Sequence, residues 1–187
     1  MLKIAFSGHR PNKLGGYNWN NEKNKRIITK INSVLTDIMK ENNYFEDGVH
    51  FIFGGALGID QMAYHVCRML GIRHELRLKN KLIMEVAVPY KNQPNKWFNN
   101  VDVIRYNKQL EHANIVTYVD ELEGYSRTNT PMGEHNAYKL QIRNEYMVDN
   151  CDLLIAVWDG SKGGTCNCVK YAEKLGKKII IIDPSET

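Results

Sequence analysis

No apolar run in this sequence is long enough to cross a membrane, which takes about 20 residues. The opening Met1–Phe6 is too short for a signal peptide and reads as a first strand. Cysteine is scarce. Cys67, Cys151, Cys166 and Cys168 are too scattered for a disulfide framework, and the single residue between the last two is not a paired zinc spacing. They read as small buried thiols in a cytoplasmic protein. Several fingerprints are missing as well. There is no G-x-x-x-x-G-K-[ST] and no G-x-G-x-x-G, so a Walker loop is excluded and a nicotinamide dinucleotide is not the first choice. Without H-E-x-x-H, G-x-S-x-G or a carboxylate cluster, the sequence signals neither a metal site nor acyl transfer, and no metal or cofactor is expected. Charge of one sign is also lacking. Lys and Arg number 25 against 21 Asp and Glu, a net charge of +4 without a dense basic stripe. This suits an anionic small ligand and argues against nucleic acid as the partner. Lys23, Lys25, Arg26 and Lys30 read as a solvated helix face.

The chain is an alternation of apolar runs and amphipathic stretches. Strands are expected at Lys3–Ser7, Val49–Phe53, Leu82–Val88, Ile115–Val119, Leu153–Trp158 and Lys178–Ile182. Helices are expected at Glu22–Asn42, from Ile59 to Leu70 with Gly71 as the stop, at Asn99–His112, at Glu134–Asn150, and from the turn Gly163-Gly164-Thr165 to Leu175. Asp120–Gly133 reads as a long loop of the kind that forms lids. Without a repeat, a low-complexity segment or a clear linker, residues 1–187 read as one domain. Strands that are apolar throughout predict an α/β fold, a parallel sheet with helices on both faces.

In such sheets ligands sit beyond the carboxyl ends of the strands, and the unusual residues fall there. Phe53-Gly54-Gly55-Ala56-Leu57-Gly58-Ile59-Asp60 is a strand, a glycine turn and a helix start. Glycines let a ligand approach the backbone, and a helix start offers unpaired N–H groups and a positive dipole end. Together these can seat a phosphate, as can the second turn Gly163-Gly164-Thr165; geometry alone is the rival explanation. Thr165 is equally a helix cap. Arg10, at a strand end, and Arg143, beside Asn144, are candidate phosphate partners; Arg143 on a solvated helix face is the alternative. Gly8 precedes His9, which is either an acid–base group or a loop tether. Asp60 is either a dipole acid or a ribose ligand. Tyr90 and Trp97 either stack on a base or pack their loop onto the domain.

These residues occur in order as Ser7-Gly8-His9-Arg10-Pro11, Gly54 to Gln61, Pro89-Tyr90 with Gln93 and Trp97, Arg143-Asn144 with Met147-Val148-Asp149, and Ala156 to Gly160 with Gly163-Gly164-Thr165. In that order they resemble the SLOG superfamily, which joins DprA to the Lonely Guy (LOG) phosphoribohydrolases. The chain looks most like its YpsA-like branch, which is mostly bacterial or phage-encoded. The resemblance implies a Rossmann-like three-layer sandwich with a mostly parallel sheet. It also implies a nucleotide or nucleotide-derived ligand held at Gly8, His9, Arg10, Gly54, Gly55, Gly58, Asp60, Arg143, Asn144, Gly163, Gly164 and Thr165. Arg143 resembles the LOG arginine. The LOG catalytic glutamate is replaced by Cys168, which removes the main electrostatic term for an oxocarbenium-like state. A nucleotide sensor or sequestering protein is the reading preferred here. An N-glycosidic phosphoribohydrolase drawing on Glu134, Glu145, Asp159 or a Cys168 thiolate is the alternative, followed by DprA-like binding of single-stranded DNA. A homo-oligomer is compatible with all three.

Overall fold

The structure, a computed structural model, describes residues 1–41, 47–78 and 81–187. Six strands form one sheet: β1 (Leu2–Gly8), β2 (Val49–Phe53), β3 (Leu82–Val88), β4 (Ile115–Tyr118), β5 (Leu153–Val157) and β6 (Lys178–Ile182). Their order is β4-β3-β2-β1-β5-β6 and every pairing is parallel. The helices are α1 (Glu22–Glu41), α2 (Ile59–Arg73), a short α3 (Glu75–Leu78), α4 (Asn100–His112), α5 (Ala137–Asp149) and α6 (Gly164–Lys174). Asn42, where the sequence placed the end of α1, lies outside the described residues.

The apolar runs are explained by burial on both sides. Along each strand, alternate side chains point to opposite faces. Ile4, Phe6, Phe51, Phe53, Val86 and Ile155 pack with residues of α1 and α2 in one core layer. Ala5, Ile52, Ala87, Leu154 and Ala156 pack with residues of α5 and α6 in the other. The first layer is centred on aromatic rings: Phe6 and Phe53 stack at 5.2 Å, and Phe53 meets the edge of Tyr64 at 5.2 Å. Helix α1 joins this layer through Ile27, Ile31 and Leu35, spaced one turn apart and fully buried.

Several element ends differ from the sequence expectation, among them those of α2, α5 and β5. Helix α2 continues through Gly71 to Arg73. Gly71 is not its stop, because a Cβ there would lie 2.4 Å from Leu82 Cδ2; the glycine admits β3. Helix α5 begins at Ala137 rather than Glu134, because the Asn136 side chain accepts a hydrogen bond from Tyr138 N at 2.8 Å and caps it. Glu134 and His135 are thereby left in the preceding loop. Strand β5 stops at Val157, before Trp158.

The order of the strands positions the site. From β1 the chain steps outward through β2, β3 and β4, then returns to the other side of β1 to form β5 and β6. Strands β1 and β5 are neighbours whose connections leave in opposite directions. The crevice at their carboxyl ends is the switch point where ligands bind in open α/β sheets.

The loop from Val119 to Asn136 is anchored from within. Lys139 and Asp120 form a salt bridge of 2.8 Å with both side chains 3% exposed. The ammonium also donates to Pro131 O at 2.8 Å and to Glu134 O at 3.1 Å, and Gly133 N donates to Asp120 at 2.8 Å. All three lysine donors are therefore used. Lys139→Met is expected to strand a buried carboxylate and cost about 3 to 5 kcal/mol in urea denaturation. The double variant Lys139→Met/Asp120→Leu is expected to recover a substantial part of that loss; no recovery would contradict the assignment of the cost to an unpaired charge.

Candidate functional site

At the β1–β5 switch point lies a cleft of about 340 Å³. Ser7 and Gly8 line it at the end of β1, and Gly163, Gly164 and Thr165 line it at the start of α6. Arg10 and Lys13 come from the loop after β1, and Asp60, Arg143 and Asn144 from α2 and α5. The polar loop that carries Lys13 is tied down by Asn24, which is fully buried. Its amide donates to Gly16 O at 3.0 Å and to Asn18 O at 2.9 Å, and accepts from Gly15 N at 2.9 Å.

The two glycine turns differ in what faces them. At Gly54 a Cβ would fall 1.4 Å from Arg143 Nη1. Gly54 therefore leaves room for the protein's own guanidinium. Gly58 has φ of +93°, and a Cβ there would lie 2.4 Å from His9 O. This close approach lets α2 dock on the end of β1, where Ile59 N donates to His9 O at 3.2 Å. A Cβ on Gly8 would meet Ile59 at 2.5 Å, and one on Gly55 would meet Tyr106 and Val86 at 3.1 Å. Gly54, Gly55 and Gly58 thus stand behind the cleft wall. At Gly163 and Gly164, by contrast, an added Cβ would meet nothing within 4 Å among the described residues. No side chain caps α6 at Gly163, so this turn presents bare backbone at a helix start.

Arg143 is buried, 5% exposed, rather than on a solvated helix face. Its Nη1 lies 3.3 Å from Asp60 Oδ2, and its Nε donates to Asn144 Oδ1 at 3.0 Å. Asp60 Oδ2 also accepts from Ala56 N at 3.1 Å, so this acid holds the glycine turn. Asn144 in turn donates to Gly164 O at 3.4 Å. Burial lowers the pKa of Arg10; the Asp60 charge opposes the shift and the Arg143 charge adds to it. Arginine nonetheless stays charged at neutral pH. Two guanidiniums and the Lys13 and Lys162 ammoniums therefore line the cleft with the single carboxylate Asp60, an excess of positive charge in a concave site.

His9 is buried, and its Nε2 lies 2.7 Å from Asp159 Oδ1. The hydroxyl and amide of Ser161, and then His9, hold the Asp159 carboxyl well below the usual carboxylate range. Lys13 Nζ donates to Ser161 Oγ at 2.6 Å. These contacts tether the β5–α6 loop to the loop after β1. Lys13 and Ser161 were not singled out in the sequence, because they lie in loops without hydrophobic period; Ser7 stood in the first motif but was not among the expected ligand residues.

Cys168 is fully buried beside Ser7. Burial, partly offset by Ser7 and the Arg143 charge, pushes its thiol up to about 12. The start of α6 therefore does not make it a thiolate at neutral pH. The four cysteines are all free and buried. Among the described residues no group of three His, Cys, Asp or Glu side chains is placed to hold a metal ion. No helix among them is long and apolar enough to cross a membrane.

Two outcomes follow from the packing. Gly54→Ala is expected to displace the Arg143 guanidinium and lower the melting temperature, while Gly164→Ala, which meets open space, leaves it within a degree or two; equal shifts in a thermal melt would contradict the assignment. Cys168 is expected to resist iodoacetamide at pH 8 in the native protein and to react in urea, as read by mass spectrometry. Rapid native labelling would contradict its burial.

A family model described as the YspA SLOG family (YpsA) matches residues 4–186. The chain is 37% identical over 162 residues to the uncharacterized SPbeta prophage-derived protein YoqJ of Bacillus subtilis (strain 168), covering 85% of this chain and 88% of that one. It is 26% identical over 166 residues to UPF0398 protein BH1768 of Halalkalibacterium halodurans, covering 88% and 76%. Among solved structures, DNA processing protein A (DprA) from Streptococcus pneumoniae superposes with a TM-score of 0.57 at 11% identity. DprA from Helicobacter pylori does so at 0.53 and 19%. Each superposition covers 97% of this chain but only 50% and 65% of the respective DprA chain, and at such identities the likeness is one of fold. The sheet order, the site motifs and the family match over nearly the whole length agree: the chain belongs to the YpsA branch of the SLOG superfamily.

Proposed function

We propose that this protein binds a nucleotide or nucleotide-derived ligand, with its phosphate at the start of α6, and acts as a sensor or sequestering protein. The observation that carries this reading is the open Gly163-Gly164 backbone facing Arg10, Lys13 and Arg143 across one cleft. A helix start and the four cations that line the cleft, Lys162 being the fourth, together favour a dianion far more than either does alone. Family membership supports the ligand class.

Turnover through Glu145, Asp159 or Cys168 is disfavoured by the state of these groups, which leaves Glu134 as the one unpaired carboxylate among the candidates. Asp60 pairs with Arg143, Glu145 with Arg127, and Asp159 with His9 and Ser161. Asp159 is held ionised and has no proton to give a leaving base. Cys168 supplies no thiolate.

A second reading, single-stranded DNA binding, is favoured by one observation. Phe98 is fully exposed beside Trp97, and Tyr17 is half exposed, as faces on which bases stack. The H. pylori fold neighbour has been described for its single-stranded DNA binding mode.

Calorimetry separates the readings. Nucleoside monophosphates are expected to bind in a 1:1 ratio, and Lys13→Ala or Gly164→Val is expected to weaken binding by about tenfold or more. Arg143 is a poor probe, because its removal strands the buried Asp60. Unchanged affinity in both variants would contradict the phosphate seat. Oligo-dT binding that survives both variants, weakens steeply with salt and is lost in Phe98→Ala would favour the DNA reading.

A further inference from the structure

This inference rests on the nucleotide reading above and names the base. Next to the anion cleft, and sharing Arg10 and Leu140 with it, lies a second cavity of about 540 Å³. Arg10, common to both linings, marks the junction between them. Two loops build the second cavity. One follows β3 and carries Tyr90 and Trp97; the other precedes α5 and carries Glu134 and His135. They are joined where Asn92 N donates to Gly133 O at 2.9 Å.

The lining has the chemistry of a base pocket. Tyr90, 4% exposed, meets the edge of His135 at a ring distance of 5.5 Å. Trp97 is braced edge-on by the buried Tyr106 at 5.3 Å. Both aromatics are thereby fixed on one side, with the cavity on another. Beside the shared Arg10 and the amides of Asn92, Gln93 and Asn95, two charged side chains of opposite sign line it. Glu134 is the one carboxylate among the lining residues, and Lys96 is the ammonium on the β3 loop. Glu134 is set in place by its backbone. Its N–H donates to Pro131 O at 3.2 Å, and its carbonyl accepts from Lys139, which is locked by the buried bridge to Asp120.

An ionised carboxylate only accepts hydrogen bonds, and an ammonium only donates them. A base that satisfies both must offer donors on one part of its edge and acceptors on another. Guanine offers two adjacent donors, N1–H and N2–H, next to the O6 and N7 acceptors that lysine commonly binds. Adenine presents a single amino donor next to a ring acceptor, which a carboxylate repels. Its amino group also stands where O6 would face Lys96. Cytosine has the same donor–acceptor order, and uracil sets one donor between two acceptors. We infer that the second cavity is a base pocket selective for guanine, with Glu134 reading the N1–N2 edge and Lys96 the O6.

Calorimetry with GMP, IMP, AMP and ribose 5-phosphate tests this. GMP is expected to bind about tenfold or more tightly than AMP, the discrimination of one good bidentate pair. IMP, which lacks the N2 amine, falls between them. Glu134→Gln is expected to weaken GMP by about tenfold and leave ribose 5-phosphate unchanged; because Glu134 is exposed, this variant folds. AMP binding as tightly as GMP, or a Glu134→Gln variant with unaltered GMP affinity, would overturn the base assignment while ribose 5-phosphate binding keeps the phosphate seat. Failure of ribose 5-phosphate and of all three nucleotides to bind would overturn both.

Discussion

The site depends on the buried ion pair between Arg143 and Asp60, each side chain 6% exposed. The partners belong to helices on opposite faces of the sheet, and they meet over the carboxyl ends of the strands. Charges this deep are tolerable only when paired and hydrogen-bonded. The surroundings meet that demand. Asp60 takes Ala56 N, Arg143 gives Nε to Asn144, and Asn144 reaches Gly164 O. One connected network therefore runs from the turn after β2 to the start of α6. Gly54 is the steric condition for it, since any side chain there would occupy the place of the guanidinium.

The loops that close the cleft are fixed in the same manner, by polar side chains that hydrogen-bond from one segment to another. Asn24 gathers the loop after β1, Lys139 gathers the loop before α5, and the His9–Asp159 pair tethers the loop after β5. Each anchor lies beneath a segment that carries a lining residue: Lys13, Glu134 and Ser161 respectively. A preorganised site of this kind loses less freedom when its ligand arrives. The charge balance it presents, four cations to one carboxylate, favours an anion there before any shape is considered.

The sheet was legible in the sequence because each strand is apolar on both faces, as the Ile4–Ala5–Phe6 alternation between two cores explains. The switch point was legible as a set of strand ends bearing glycine and polar residues. The role of the first glycine turn was not. A glycine that makes room for a ligand and one that makes room for the chain's own arginine look alike in one dimension. Only the fold shows that Arg143, 89 residues downstream of Gly54, occupies that space. Lys13 and Ser161 escaped notice because a single lysine and a single serine in loops carry no periodicity. Glu134 was placed inside a helix because the Asn136 cap, two residues later, is a weaker signal than the helical pattern around it. The Cys168 substitution was visible, but its meaning rested on burial, which sequence spacing does not give.

The central claim is that the phosphate of a nucleotide seats at the start of α6 and not at the turn after β2. A crystal structure grown with a nucleoside monophosphate tests it most directly. The account predicts phosphate oxygens within hydrogen-bond distance of the Gly164 and Thr165 N–H groups, with Arg10 and Lys13 turned toward them and the Arg143–Asp60 pair intact. A phosphate bound at Gly54-Gly55 with Arg143 displaced, or one bound outside the β1–β5 crevice, would contradict it.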